Sequence, residues 1–373
     1  MRYCVLYPNT RNVNLIKDMG MIPYKLHELY GYDAYVACYK LGEYEYLKNE
    51  VKGLKVEFID KKFNSYTLDG IRYLKREAKN IDILQIFHVT MYSMFYALKY
   101  KKLNPKGKIY LKLDCSHKLV EKIYSLNGIQ KKFLNMYLDK VDLISAEQRV
   151  LCEKLKTLLP NQKQKIINIP DGVDYESLHQ KALKYDYNIK DNIILNVARV
   201  GAAEKNTPML LEAFKNIKNI EKSGWKLVIV GPIKDGFQDY IDKFFKKNHN
   251  LKNIIEFKGA VHDRKELFEQ YSKSKIFCLT SEFESFGIAF VEAAALGNVI
   301  VSTDVGISRE LVQNNNGMIV NVNDTKALTH ELEKFINNKN LEKYSRETYN
   351  LCKKNFNWDE IIHKLNVSLK ALY

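Results

Sequence analysis

The chain has 373 residues, more than one hydrophobic core usually supports, so its length implies two domains of about 150–190 residues each. Its 46% hydrophobic and 28% charged residues are those of a soluble globular protein. No apolar run approaches the ~18 residues that span a bilayer, and the N-terminus lacks a signal-peptide apolar segment, which leaves a cytoplasmic protein as the expectation. The formal net charge is +15, and residues 1–180 carry 30 Lys and Arg against 20 Asp and Glu, two-thirds of the excess. Such a surface attracts nucleic acid, anionic lipid headgroups or phosphorylated substrates. Nucleic acid is set aside, because no helix-turn-helix, RRM or zinc-finger pattern is present. The six cysteines, at 4, 38, 115, 152, 278 and 352, form no CxxC or CxxH pair and read as buried, reduced thiols.

In chain order, apolar runs of strand length alternate with segments of helical period, the pattern of parallel α/β architecture. The first half offers strands at 3–8, 34–39, 55–60, 83–89, 108–114, 141–145 and 165–170. Helices are expected between them, one opening at Pro23 and another spanning Lys118–Leu138 with a break at Gly128. The second half offers strands at 193–198, 226–231, 254–259, 275–280, 298–303 and 317–322. The seam falls near residues 172–190. Two doubly wound, Rossmann-like domains are thus expected, 1–175 and 189–356, with ligands at the carboxyl ends of strands facing an interdomain cleft. The final segment, 357–373, is expected to pack back on the first domain.

The most specific segment is SEFESFGIAFVEAAALGNVIVST, residues 281–303. A strand runs into a short loop carrying Glu284, and a helix opens near Gly287 with Glu292 in its second turn. Loop amides and a helix N-terminus make a surface suited to a diphosphate, and Gly287 lets backbone approach a ligand closely. Glu292 stands among apolar neighbours, where a charge must be paired or used; as an acceptor-only group it can take two hydrogen bonds from adjacent ribose hydroxyls. Upstream, in NVARVGAAEKNTPMLLEAF (196–214), Arg199 and Lys205 flank a strand-to-helix turn and can converge on two phosphates, with Thr207 as N-cap and Pro208 at N1 of the helix that follows.

Together with PDGVD (170–174) and VSTDVGISRE (301–310), these segments resemble glycosyltransferase family 4, retaining enzymes of the GT-B fold. The resemblance is strongest over residues 166–322. It covers the E-x7-E motif at Glu284 and Glu292, the Arg199/Lys205 pair, a helix-opening glycine at Gly306 and an acid at Glu310; Asp171 stands where the family pattern has Asn. The resemblance implies that Arg199 and Lys205 neutralise the diphosphate leaving group, Glu292 holds the ribose and Glu284 meets the transferred sugar. It further implies that backbone amides at Phe286, Gly287 and Ile288 meet sugar and phosphate, and that the base rests near Val261. In the first half it is weaker: Gly20 is the candidate for a glycine-rich loop after the first strand, His88 for a histidine facing the sugar, and Asp114 and His117 for acceptor contacts.

The function so implied is retaining transfer of a hexose or N-acetylhexosamine from a nucleotide-diphosphate sugar, on family frequency a UDP-sugar, to a hydroxyl of a lipid-linked or cell-surface glycan precursor. No Asp-x-Asp occurs, so no metal and no cofactor is expected; the cations and the helix terminus would do a metal's work. A sugar-nucleotide epimerase of the same fold is the alternative, disfavoured by the cation pair together with E-x7-E. Segments 96–108 and 121–140 mix Lys with Tyr, Phe, Leu and Met, which reads either as solvated helix faces or as faces for peripheral docking on an anionic membrane; docking would place the protein at the inner membrane face.

Overall fold

The computed structural model describes all 373 residues, which divide into two compact units. One comprises Met1–Asp171 with Trp358–Tyr373, the other Gly172–Asn357. The boundary thus lies at 171/172: residues 172–175, expected in the first domain, and 176–188, left between the two, form part of the second unit and include the helix Tyr175–Gln180.

In the first unit seven parallel strands stand in the order β3-β2-β1-β4-β5-β6-β7: β1 Arg2–Leu6, β2 Asp33–Cys38, β3 Lys55–Phe58, β4 Ile83–Phe87, β5 Lys108–Leu113, β6 Leu143–Ala146 and β7 Ile166–Asn168. Both faces of this sheet are covered. Cys4, Leu6, Leu84, Ile86, Ile109 and Leu111 point into one apolar layer, whereas Tyr3, Val5, Ile83, Phe87 and Tyr110 point into the other. That is why these strands read as near-continuous apolar runs. The helix Trp358–Lys370 belongs to this unit and packs beside the helix Asp18–Tyr30: Lys25 pairs with Asp359 at 3.1 Å, and the Tyr32 hydroxyl donates to Asn366 Oδ1 at 2.8 Å.

The second unit repeats the plan with six parallel strands in the order β10-β9-β8-β11-β12-β13. These are β8 Asp191–Val197, β9 Lys226–Val230, β10 Ile255–Gly259, β11 Ser274–Leu279, β12 Val299–Thr303 and β13 Gly317–Val320. At the end of β9, Gly231 has φ +142° and lies so close to β8 that a Cβ would stand 1.8 Å from the Ala198 carbonyl oxygen. No helix in the protein is long and apolar enough to cross a membrane. All six cysteines are buried free thiols.

Two local expectations differ from the structure, and in a third the expected break falls just before Gly128 rather than at it. Pro23 lies inside the helix Asp18–Tyr30 rather than at its start; the earlier beginning buries Met19, Met21 and Ile22 and outweighs the hydrogen bond that proline cannot donate. Gly20 sits in the same helix, not in a loop. A Cβ there would stand 2.2 Å from the Leu15 carbonyl oxygen, so the glycine serves close packing of the helix on the preceding turn and offers no open backbone to a ligand. The segment 118–138 forms two helices, His117–Ser125 and Gly128–Leu138, with Asn127 capping the second through the Gln130 N–H.

Four charged groups meet inside the first unit, near the carboxyl ends of its strands. Lys112 of β5 is fully buried, with Glu147 Oε1 at 3.0 Å and Asp18 Oδ2 at 3.3 Å. The carboxylate oxygens of Asp18, Glu147 and Asp171 lie within 4.8 Å of one another. One ammonium cannot neutralise three buried carboxylates, so burial pushes all three carboxyls up, Asp171 to about 8, while the acids hold the Lys112 ammonium well above its ordinary value. A carboxyl raised above its unfolded value binds protons preferentially in the folded state, so its stabilising contribution is present at low pH and declines as pH rises from about 4 to about 8. Asp171→Asn should flatten that decline in urea unfolding measured across this range. Lys112→Met, which strands the acids, should cost about 3–5 kcal/mol near neutrality.

Candidate functional site

The residues singled out in the second half gather at the carboxyl ends of β8, β9, β11 and β12, where a doubly wound sheet presents its ligand-binding loops. After β11, the loop from Thr280 to Gly287 is held from below. The Thr280 hydroxyl donates to the carbonyls of Lys205 and Asn206, and the Thr303 hydroxyl donates to that of Ser281 at 2.6 Å. The Glu282 N–H donates to the Glu204 carbonyl at 2.8 Å, joining this loop to the one after β8. Glu284 thereby reaches Lys205, whose Nζ lies 2.5 Å from Oε1, and the same oxygen accepts from the Ser281 hydroxyl at 2.7 Å. Both charged side chains are mostly shielded from water, a setting in which an ion pair is screened less than at the surface.

Gly287, at φ +88°, turns the chain into the helix Ile288–Ala295. The first N–H groups of a helix lack intrahelical partners, so the amides of Ile288 and Ala289 present donors there, while the Phe290 N–H donates to the Gly287 carbonyl at 2.9 Å. The Phe286 side chain is buried and packs edge-on against Phe356, leaving only its backbone to face the loop. Its carbonyl accepts the Ile307 N–H at 3.0 Å, and a Cβ on Gly306 would stand 2.2 Å from that oxygen. Gly306, at φ +55°, is thus the residue that allows the loops after β11 and β12 to clasp. Glu310 follows in the helix Ser308–Leu311.

Glu292 is buried at 5% exposure, with both carboxylate oxygens engaged. Arg264 Nη1 lies 2.8 Å from Oε1, and the Tyr271 hydroxyl donates to Oε2 at 3.1 Å. Both partners come from the helix Arg264–Lys273, which packs against the helix carrying Glu292. The Arg264 guanidinium also lies over the Phe268 ring, 4.8 Å from its centroid. Burial and the Glu292 charge push the Tyr271 phenol well above its ordinary value, so it stays a donor. Each carboxylate oxygen has two acceptor directions, so Glu292 retains the capacity to accept from a ligand's hydroxyls.

Arg199 is 69% exposed at its side chain and pairs with Glu204. With Ala202, Ala203, Glu204, Pro232, Ile233 and Lys234 it lines a pocket of about 410 Å³ at the ends of β8 and β9. The helix Thr207–Lys215 begins one residue earlier than expected. Asn206, in the left-handed region, accepts the Met209 N–H as its cap, and Thr207 instead accepts the Gly201 N–H at 3.0 Å. Val261, just past β10, is half buried and packs against the core of its unit.

In the first unit, His88 follows β4 directly in the left-handed region (φ +57°), with its backbone tied to Lys112 and Ser93 and its ring edge-on to Tyr7. Asp114 is half buried directly after β5, and His117 is the exposed first residue of its helix. Asp171 points into the buried charge cluster instead of serving the seam. Four partners escaped the sequence reading. Glu204 stood in plain view one residue before Lys205, and Ser281 three before Glu284; Arg264 and Tyr271 carry no local signal, since only tertiary packing brings them to Glu292.

Residues 179–355 match the family model of the glycosyl transferases group 1. An amylovoran biosynthesis glycosyltransferase of Erwinia amylovora is 28% identical over 156 residues, 41% of each chain, so the match spans less than half of that relative's length. An uncharacterized glycosyltransferase of Methanocaldococcus jannaschii is 26% identical over 329 residues, 85% of each chain. Among solved structures, Anabaena HepE in complex with UDP and glucose shares the fold over the whole of both chains, with a TM-score of 0.72 and 15% identity.

Proposed function

We propose that this chain, whose residues 179–355 match the family model of the glycosyl transferases group 1, transfers a hexose or N-acetylhexosamine from a UDP-sugar to a hydroxyl acceptor, with retention of anomeric configuration. The observation that carries this reading is the pair of shielded carboxylates on one loop-and-helix unit, Glu284 against Lys205 and Glu292 against Arg264 and Tyr271. The likeness in fold to a protein solved with UDP and glucose supports the donor class.

In this reading Glu292, already desolvated and oriented, accepts from the ribose hydroxyls. The diphosphate takes Lys205 as counter-charge, and the Glu284 carboxylate so released accepts from the hydroxyls of the sugar. Arg199, free to swing from its exposed partner at little cost, joins Lys205 and the amides at Phe286, Gly287 and Ile288 in stabilising charge on the departing diphosphate. Val261 lies beside the base. The acceptor oxygen forms its bond to C1 on the face from which the phosphate oxygen leaves, and that oxygen takes the acceptor's proton, so no separate base is needed. His88 faces the transferred sugar, and Asp114 and His117 belong to acceptor recognition. We assign no metal or cofactor to these steps.

The acceptor is proposed to be a lipid-linked glycan precursor met at an anionic membrane surface, which assigns the protein to the cytoplasm at the inner membrane face. Two helices of the first unit, Met91–Leu103 and Gly128–Leu138, touch through Tyr137 and Ser93. Each leaves an apolar stripe exposed at helical spacing: Met91, Phe95 and Leu98 on one, Ile129, Phe133 and Met136 on the other. Exposed Lys102, Lys131 and Lys132 stand on the same helices. Apolar stripes with lysines on the same helices suit an interface of acyl chains and acidic headgroups.

Arg199→Ala and Lys205→Ala should each lower turnover by about 10²–10³-fold, much more than either disturbs folding as read from melting temperature. Wild-type turnover should persist in excess chelator; normal turnover in both variants would remove their assigned roles. In liposome flotation the protein should rise with vesicles containing acidic lipid and not with neutral ones, and Ile129→Glu with Phe133→Glu should abolish the difference. Equal behaviour on both vesicle types contradicts docking.

A further inference from the structure

Lys190 stands immediately before β8 and is 6% exposed, yet its ammonium meets no carboxylate at hydrogen-bond distance. Its three N–H groups are matched instead by three backbone carbonyls: Tyr271 O at 3.2 Å, Ser272 O at 3.2 Å and Ser274 O at 2.8 Å. These carbonyls belong to the last turn of the helix Arg264–Lys273 and its C-cap, where the Tyr271 carbonyl also accepts the Ser274 N–H, further backbone donors run out and the helix dipole presents negative charge. A second donor, Asn298 Nδ2, reaches the Ser274 carbonyl at 2.5 Å. Burial draws the Lys190 ammonium down to about 7, and the three carbonyl dipoles oppose that pull.

A buried lysine is a costly way to end a helix, because the ammonium must be desolvated. What distinguishes this helix end is its cargo. Tyr271, whose carbonyl Lys190 holds, is the residue whose hydroxyl holds Glu292 Oε2, and the ring of Tyr271 is fully buried between Phe268 and Phe277. Backbone position and ring packing together fix where that hydroxyl points. We propose that Lys190 is a positioning residue of the donor site: by locking the last turn of the helix Arg264–Lys273 it fixes the Tyr271 hydroxyl, and through it the carboxylate of Glu292. The inference rests on the reading of Glu292 as the ribose ligand. Arg264, at the other end of the same helix, holds the second oxygen, so Lys190 governs one oxygen of the two.

The test is a double-mutant cycle on UDP affinity, measured by calorimetry on the full chain with Lys190→Met, Tyr271→Phe and the double variant. Each single variant should weaken UDP binding by about tenfold. The double should bind no more weakly than the worse single, because Lys190 acts through the hydroxyl already removed. Melting temperature should fall with Lys190→Met in both backgrounds, which separates helix stability from positioning. A Lys190→Met affinity within about twofold of wild type, or losses that multiply in the double, overturns the proposal. Should Lys190→Met fail to fold, Lys190→Gln, which keeps two donors, replaces it; if neither folds, Lys190 is a stability element alone and the proposal is wrong. Failure of the wild type to bind UDP, GDP, ADP or CMP defeats the donor reading itself, a result distinct from any of these.

Discussion

A carboxylate removed from water either finds donors for its oxygens or gives up its charge. Glu292 is almost wholly buried and is supplied with a guanidinium on one oxygen and a phenol on the other. Much of the second unit can be understood as support for that arrangement. The helix Arg264–Lys273 delivers both donors, Phe268 steadies the guanidinium, and three carbonyls at the helix end are held by a buried lysine. The cost of desolvating these charges is met in the fold, before a ligand arrives, and such preorganisation lets a ligand gain from the site without having to build it.

The neighbouring charges follow a different rule. Lys205 and Glu284 neutralise each other, and so do Arg199 and Glu204. In the donor reading these pairs are exchangeable: a diphosphate offers the cations a stronger anion, and the released Glu284 is already beside the sugar. Glu292 stays pinned while Glu284 changes partners. On the proposed donor reading, that difference would give the two acids of the E-x7-E motif separate work, one gripping the constant part of the donor and the other meeting the part that is transferred.

The strands were legible because a parallel sheet covered on both faces needs uninterrupted apolar runs; the thirteen segments read from the sequence correspond to β1–β13. Glu284 and Glu292 were legible because loop, glycine and apolar flanks are local features. What escaped was decided at long range. Arg264 and Tyr271 lie 28 and 21 residues from Glu292 and belong to a helix whose sequence shows nothing unusual. Asp171 looked like a departure within a loop motif, whereas its neighbours are Asp18, Lys112 and Glu147, brought from distant parts of the first unit. Gly20 looked like a ligand loop because a glycine after a first strand carries that meaning, but the backbone of Leu15 fills the space its missing side chain leaves.

The central claim is that the pinned carboxylate of Glu292 receives the ribose hydroxyls of the donor nucleotide. Its most direct measurement is a calorimetric comparison of UDP with 2′-deoxy-UDP on the wild-type chain and on Glu292→Gln. The wild type should bind the deoxy ligand about tenfold more weakly, the loss of one hydrogen bond to a charged acceptor, and the difference should shrink in the variant. Equal affinity of the wild type for the two nucleotides would contradict the account.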